Sequence, residues 1–309
     1  MISILYFVVV SKTDNRRKTL LKKIIVTGSN GQLGRAIRSL CSSADYELIN
    51  TDFGVQDLVD LDITDLDSVI GFCREVKPYA VINCAAHTNV DACEVQVDAA
   101  HKINAIGPRN LAIATAETGA KLVHISTDYV FSGEGTRPYT EFDPPAPKAM
   151  YGITKLAGEN FVRQFSEHFF IIRTAWLYGD GKNFVKTMLR LADSHDNISV
   201  VNDQVGSPTS ANELAKAVLS LVPTENYGLF HGTCEGQCSW ADFAKAIFAA
   251  AGKNTVVTPV TSEQYKEMNP ASADRPHFSV LENYMFRLTG GYGFADWEKA
   301  LAEYMPDLV

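Results

Sequence analysis

The chain has 309 residues, 46% of them hydrophobic, enough to bury a large core in one or two domains. Its net charge is −8 and its 28 Lys and Arg residues are dispersed rather than striped, which excludes the profile of a nucleic-acid binder. The six cysteines, Cys41, Cys73, Cys84, Cys93, Cys234 and Cys238, contain no C-x-x-C pair and no nearby His and Cys set that completes a zinc site. They read as thiols in a reducing cytosol, and no metal is expected.

The chain opens on a largely apolar run, residues 1–10, followed by the basic stretch S-K-T-D-N-R-R-K. A secretory signal carries its charge before the apolar run, not after it. The run is about half the ~20 residues that a membrane span needs, and no later stretch is long enough either. Residues 1–21 therefore read as a disordered N-terminal extension, with the functional chain starting near Leu21.

From Lys23 strands and helices alternate. Ile24, Ile25 and Val26 predict a first strand, and T-G-S-N-G-Q-L-G-R leads at once into an amphipathic stretch reaching about Cys41. Gly28 suits a tight turn, Gly31 lets backbone approach a pyrophosphate, and Gly34 lets the helix pack close to the strand. In that setting Gly28, Asn30, Gly31, Gln32, Leu33 and Gly34 are expected to hold a dinucleotide, an ordinary βα turn being the plainer reading. The second strand, residues 46–50, ends in Thr51 and Asp52. An acid about 20 residues past the glycines hydrogen-bonds ribose hydroxyls and repels a 2′-phosphate, unless it is a solvated loop acid. Arg35 opposes it as a cation able to reach that phosphate. Asp62, with Ile63 beside it, is read as facing the adenine, unless Thr64 simply caps the next helix.

Residues 80–83 predict a third strand running into C-A-A-H-T-N-V-D, where Ala85 and Ala86 let a flat ligand lie against the backbone. His87 reads as a satisfied loop residue rather than a base. A helix over residues 91–118 is expected to kink or restart at Gly107-Pro108. A fourth strand, residues 121–126, carries Ser126 and Thr127 to its end, and Tyr151 and Lys155 follow on one helix face. An ammonium beside a phenol favours phenolate and lowers a pKa that is otherwise about 10. A Thr127 hydroxyl can hold a substrate carbonyl against the Tyr151 proton. Y-x-x-x-K alone also describes a solvated helix face, so its meaning comes from the cofactor features around it.

These elements predict an α/β fold, a Rossmann-type doubly wound parallel sheet, with Gly28, Ala85 and Thr127 at the carboxyl ends of three strands. Residues 22–175 read as the NAD(P)-binding domain. Residues 176–309 read as a smaller substrate-binding lobe, some of whose segments return to the sheet. In that lobe helices are predicted over 183–194, over 212–221 with Asn212 as cap, and over 240–251 closed by Gly252, with a strand over 228–231.

The set T-G-x-x-G-x-x-G, N-x-A-A, S-T-D and Y-x-x-x-K resembles the extended short-chain dehydrogenase/reductase family, from about residue 22 to 305. R-T-A-W-L-Y-G at 173–179, N-F-V-K-T-M-L-R at 183–190, N-D-Q-V-G-S-P-T at 202–209 and R-P at 275–276 are similar to its reductases of dTDP-linked 4-keto sugars. The resemblance implies hydride transfer from NADPH, with NADH accepted, to the C4 keto group of a dTDP-sugar in the cytoplasm, and it allows a homodimer. It implies that Tyr151 donates the proton, Lys155 holds the nicotinamide ribose and Thr127 bonds the carbonyl. Trp176 would wall the sugar, Asn183 and Arg275 would face the diphosphate, and Asn104 would orient the lysine through water. Phe278 departs from the small polar residue usual there, so the nucleotide end of the pocket transfers least well. The alternatives are an epimerase or dehydratase on another nucleotide sugar, or a non-catalytic regulatory subunit resembling the methionine adenosyltransferase β subunit. A dehydratase wants an Asp-Glu pair beside its Thr, and Thr127 is followed by Asp128 and Tyr129. The intact Thr127, Tyr151 and Lys155 favour catalysis.

Overall fold

The computed structural model describes residues 21–41 and 46–308, so the expectation for residues 1–20 lies outside the described residues. Strand β1 (Lys22–Thr27) is followed by α1 (Gln32–Leu40), β2 (Tyr46–Asp52), β3 (Val59–Asp60), α2 (Leu66–Val76) and β4 (Ala80–Asn83). The next helical stretch is divided into α3 (Val90–Val95), α4 (Val97–His101), a π turn (Lys102–Ile106) and α5 (Gly107–Thr118). Then come β5 (Lys121–Thr127), α6 (Met150–Phe165) and β6 (Phe169–Thr174).

These strands, with β11 (Gly228–His231), form a seven-stranded sheet in the order β11-β6-β5-β4-β1-β2-β3, every pair parallel. A parallel sheet is covered on both faces, so its strands carry nearly unbroken apolar runs. Alternation along β1 shows why: Ile24 and Val26 join one core with Leu33 and Ile37 of α1, while Ile25 joins the opposite core with Val69 of α2 and Leu111 of α5.

Between β6 and β11 lie β7 (Leu177–Tyr178), α7 (Phe184–Ala192), β8 (Asn197–Val201), β9 (Val205–Gly206), β10 (Thr209–Ser210) and α8 (Ala211–Leu221). After β11 come β12 (Cys238–Ser239), α9 (Trp240–Ala250), β13 (Val256–Val260), α10 (Ser262–Met268), α11 (Tyr284–Leu288) and α12 (Trp297–Tyr304). A separate core joins α7, α9 and α12 through Val185, Met188, Phe243, Ile247, Trp297 and Leu301. Strand β11 returns to the main sheet beside β6, and α8 packs with α1 on one sheet face.

Three local readings need correction. The helix over 91–118 is broken at Gln96 and widened into the π turn before α5, although a new helix does begin at Gly107. Pro108 sits in the first turn of α5, where its missing N–H loses no helical bond. Helix α2 is capped by Asp65, whose carboxylate accepts from the N–H groups of Asp67 and Ser68, and not by Thr64. Helix α8 is capped by Ser210, not by Asn212. In both cases several capping side chains stand within three positions, and the backbone entry angle selects one of them.

Candidate active site

The site is built where β1, β4 and β5 end. Gly28 takes φ +62° after β1, and a Cβ there would lie 2.6 Å from the Ala85 nitrogen, so the turn lies against the chain leaving β4. A Cβ on Gly34 would lie 2.5 Å from the Gly28 carbonyl oxygen, so Gly34 is what lets α1 tuck behind the turn. Gly31 begins α1 with no side-chain cap, leaving the first helical N–H groups available to an anion. The Asn30 N–H donates to Asp52 Oδ2 at 2.9 Å, so Asp52 is turned onto the glycine-rich loop rather than into solvent.

At the far end, β5 delivers Ser126 and Thr127 while α6 delivers Tyr151 and Lys155. Helix α6 is pressed on both sides. A Cβ on Gly152 would collide with the Tyr129 carbonyl, and one on Gly158 with the Asn104 carbonyl. Asn104 sits in the π turn: its Oδ1 accepts from the His87 N–H at 2.8 Å, and its Nδ2 donates to the His87 carbonyl at 3.1 Å and to Thr154 Oγ1 at 3.2 Å. It thereby ties the chain after β4 to α6. The His87 ring meets Gln96 Oε1 at 3.1 Å and Cys93 Sγ at 3.5 Å, so it is satisfied within its loop.

Lys155 is buried and donates to the Ile125 carbonyl at 2.6 Å. Burial pulls its pKa down to about 8, against the opposing pull of Glu159 and Cys84. The Tyr151 phenol is pushed up from its ordinary value by burial, although its hydrogen bond with Thr127 works the other way. The expectation that Lys155 lowers this pKa is thus overturned: burial dominates, Asp128 and Cys93 add to it, and the Lys155 ammonium is turned to a backbone carbonyl. Tyr151 is held as a neutral proton donor. The Thr127 hydroxyl donates to Asp128 Oδ1 at 2.9 Å and accepts from the Tyr129 N–H at 3.2 Å. Burial raises the Asp128 carboxyl to about 6, against hydrogen bonds from Ser279 and Thr127.

A cavity of about 930 Å³ joins both ends. It is lined by Gly28, Asn30, Gly31, Gln32, Leu33, Asp52, Asp62, Ile63, Ala85 and Ala86, then by Thr127, Tyr151, Lys155, Trp176 and Asn183. An elongated dinucleotide fits this set: uncapped helical N–H groups in the middle, a carboxylate at one end, and a Tyr–Lys pair at the other.

The family model for the RmlD substrate binding domain matches residues 22–309. The spore coat polysaccharide biosynthesis protein SpsK of Bacillus subtilis is 41% identical, over 93% of this chain and 98% of its own. A dTDP-4-dehydrorhamnose reductase structure from Clostridium acetobutylicum superposes with a TM-score of 0.87 at 53% identity, covering 93% of this chain and 99% of that one. The chain belongs to the dTDP-4-dehydrorhamnose reductase family. The Bacillus anthracis reductase, solved in complex with NADP, is 42% identical with a TM-score of 0.88, covering 93% of this chain and 100% of the other.

Not every residue expected from the reductase family faces the main cavity. Gly34 lies behind the loop, in the α1 packing. Arg275 lines a neighbouring cavity of about 1440 Å³ that shares Tyr129 with the first, and its guanidinium donates to Ser272 Oγ at 2.9 Å and approaches Asp91 at 3.4 Å. Asn183 lines the main cavity, but its polar atoms are engaged: Oδ1 caps α7 at the Lys186 N–H, and Nδ2 donates to the Gly179 and Gly181 carbonyls at 2.6 and 3.2 Å. Trp176 takes φ +48°, a costly region for a bulky side chain, and is held there by a stack on Trp240 at 3.5 Å. Glycine is required beneath it, since a Cβ on Gly206 would lie 2.5 Å from Trp176 Cε2. Asn104 makes no hydrogen bond to Lys155; its partners are His87 and Thr154.

Sequence reasoning missed the support beneath Lys155. Glu159, one turn further along α6, is fully buried and takes a bidentate ion pair from Arg173, 2.8 Å at each oxygen, plus a 2.6 Å hydrogen bond from Ser126 Oγ. Burial would raise the Glu159 carboxyl, but Arg173 and Ser126 together hold it below its ordinary value. The available signal was spacing: Tyr151, Lys155 and Glu159 recur every four residues, and Arg173 opens R-T-A-W-L-Y-G.

Proposed function

We propose that this protein reduces the C4 keto group of dTDP-4-dehydro-L-rhamnose to give dTDP-L-rhamnose, using NADPH with NADH as a workable substitute. The observation that carries the reading is the single cavity in which the uncapped α1 terminus, Asp52, Thr127, Tyr151 and Lys155 meet. When bound, the reduced nicotinamide supplies the hydride. Everything else falls to the chain. The backbone of residues 28–33 and the α1 N-terminus hold the pyrophosphate, Asp52 and Asp62 hold the adenosine end, and Lys155 holds the nicotinamide ribose. Thr127 turns its one hydroxyl proton from Asp128 to the C4 oxygen, and Tyr151, kept protonated by burial, gives that oxygen a proton as negative charge develops. Lys155, with a pKa near 8, can return a proton toward that phenol at neutral pH.

Trp176 walls the sugar and Arg275 faces the diphosphate from the neighbouring cavity, while Asn183 must release the Gly179 or Gly181 carbonyl before its amide can reach that diphosphate. Residues 22–175 serve the cofactor and 176–309 the sugar. We place the protein in the cytoplasm and allow a homodimer; among the described residues no helix is long and apolar enough to cross a membrane. The test follows oxidation of NADPH and NADH with a panel of dTDP- and UDP-linked 4-keto sugars. Preferential turnover of dTDP-4-dehydro-L-rhamnose is expected, and turnover confined to a UDP sugar, or none, would refute the reading.

A further inference from the structure

Arg35 follows Gly34 on α1, and its guanidinium is held at three points. Nε donates to the Asn30 carbonyl at 2.8 Å, Nη2 to Asn30 Oδ1 at 2.8 Å, and Nη1 to Asp180 Oδ2 at 2.7 Å. The Asn30 N–H meanwhile donates to Asp52 Oδ2 at 2.9 Å. Asn30 is thus gripped by a cation on one side and an anion on the other, at the rim of the cavity it lines.

The loop that carries Asp180 is built, not slack. Its Gly179 carbonyl accepts from Asn183 Nδ2 at 2.6 Å and from the Tyr304 hydroxyl at 2.5 Å. Lys186 donates to the second oxygen of Asp180 at 3.2 Å. A Cβ on Gly181 would lie 3.4 Å from Gln32 Cγ, so the loop also lies against the glycine-rich turn. Hydrogen bonds from Arg35 and Lys186 hold the Asp180 carboxyl below its ordinary value, so it is an anion at neutral pH.

We infer that Asp180 is a positioning residue for cofactor preference, competing with the 2′-phosphate of NADPH for Arg35. The inference rests on the NADPH reading above. With Asp180 in place, Arg35 must give up an ion pair before a phosphate can take its outer nitrogen, and a fixed anion remains nearby. NADH carries no such phosphate and never faces the exchange. Asp180 therefore narrows the gap between the two cofactors, reaching across from the loop after β7 to a side chain on α1. Because the pair is partly exposed, 38% at Arg35 and 63% at Asp180, the effect is modest.

The test measures the dissociation constants of NADP⁺ and NAD⁺ by calorimetry in the wild type, Asp180→Asn, Arg35→Ala and the double variant. Among the described residues the Asp180 side chain bonds only Arg35 and Lys186, so Asp180→Asn keeps the loop's own ties. Asp180→Asn is expected to tighten NADP⁺ by about two- to fivefold while leaving NAD⁺ unchanged, and to do nothing for NADP⁺ once Arg35 is gone. An equal shift for both cofactors, an unchanged ratio, or a gain that persists without Arg35 would overturn the inference. A wild type that binds NAD⁺ and rejects NADP⁺ would refute the NADPH reading instead, and the shift in ratio in Asp180→Asn would still decide the role of Asp180.

Discussion

Substituting Glu159 by Gln removes the charge that Arg173 is built around. The two side chains are 0% and 1% exposed, and Arg173 has no other carboxylate at hydrogen-bond distance among the described residues. Its Nη1 already lacks a partner, and the neighbouring His231 is neutral, its pKa pulled down to about 3 by burial and by Arg173 itself. The variant therefore leaves a buried guanidinium uncompensated, which costs about 3–5 kcal/mol. For a chain of 309 residues that is a fall in Tm of roughly 5–8 °C, read by calorimetry, with the free-energy loss itself read by urea unfolding at pH 7. Pairing Glu159→Leu with Arg173→Met should recover most of the loss, since removing both charges is often neutral. The sign against pH is fixed as well. The folded-state pKa of Glu159 is lowered, so its contribution is present above its unfolded value of about 4.3 and is lost as pH falls below that. The gap between wild type and Gln variant must then close toward acid. A second readout separates support from scaffold: without the Glu159 carboxylate the Lys155 pKa drops below about 8, moving the alkaline limb of the kcat profile downward. A loss of stability under about 1 kcal/mol, or a gap independent of pH, would refute the argument.

Tyr151→Phe is expected to keep cofactor affinity and lose kcat by about two orders of magnitude or more, checked by calorimetry beside steady-state rates; near wild-type turnover would remove Tyr151 from the chemistry. Lys155→Met should be more stable than wild type at pH 7 by up to about 3 kcal/mol, because a pKa lowered from 10.5 to about 8 means folding disfavours the charged lysine. That advantage should disappear as pH rises from 8 to 10.5, where the unfolded chain alone still holds the proton, and urea titrations at pH 7 and 10 decide it. Gly28→Ala combines φ +62° with a Cβ 2.6 Å from backbone, so it should weaken cofactor binding at least tenfold and lower stability by about 1–3 kcal/mol. Unchanged cofactor titrations would show that the turn is not where the cofactor lies.

Much of the sheet was legible because buried parallel strands leave short apolar runs, as at Ile24–Val26 and Ala80–Ile82, and because Gly28 and Gly34 mark backbone contacts that a Cβ would block. The cavity residues were legible for the same reason: topology puts strand ends together. What escaped the sequence is tertiary. Glu159 and Arg173 pair between α6 and β6, and Arg35 reaches Asp180 across the fold, with no periodicity to announce either contact. The Tyr151 pKa was misjudged because sequence displays charges but not desolvation, and desolvation wins. The π turn went unseen because Lys102–Ile106 reads like any helical stretch.

That turn has a consequence for chain length. A π turn closes its hydrogen bonds one residue later than an α turn, so the stretch from α4 to α5 holds a residue more than a regular helix of the same rise. Deleting a single residue there would leave a perfectly good helix with both flanks still in phase, but without the wide turn that aims Asn104. Asn104 would swing off His87 and Thr154, and the carbonyl against which Gly158 packs would turn away. The grip on α6, and with it the seat of Tyr151 and Lys155, is written into the spacing of the backbone, where no substitution scan would find it.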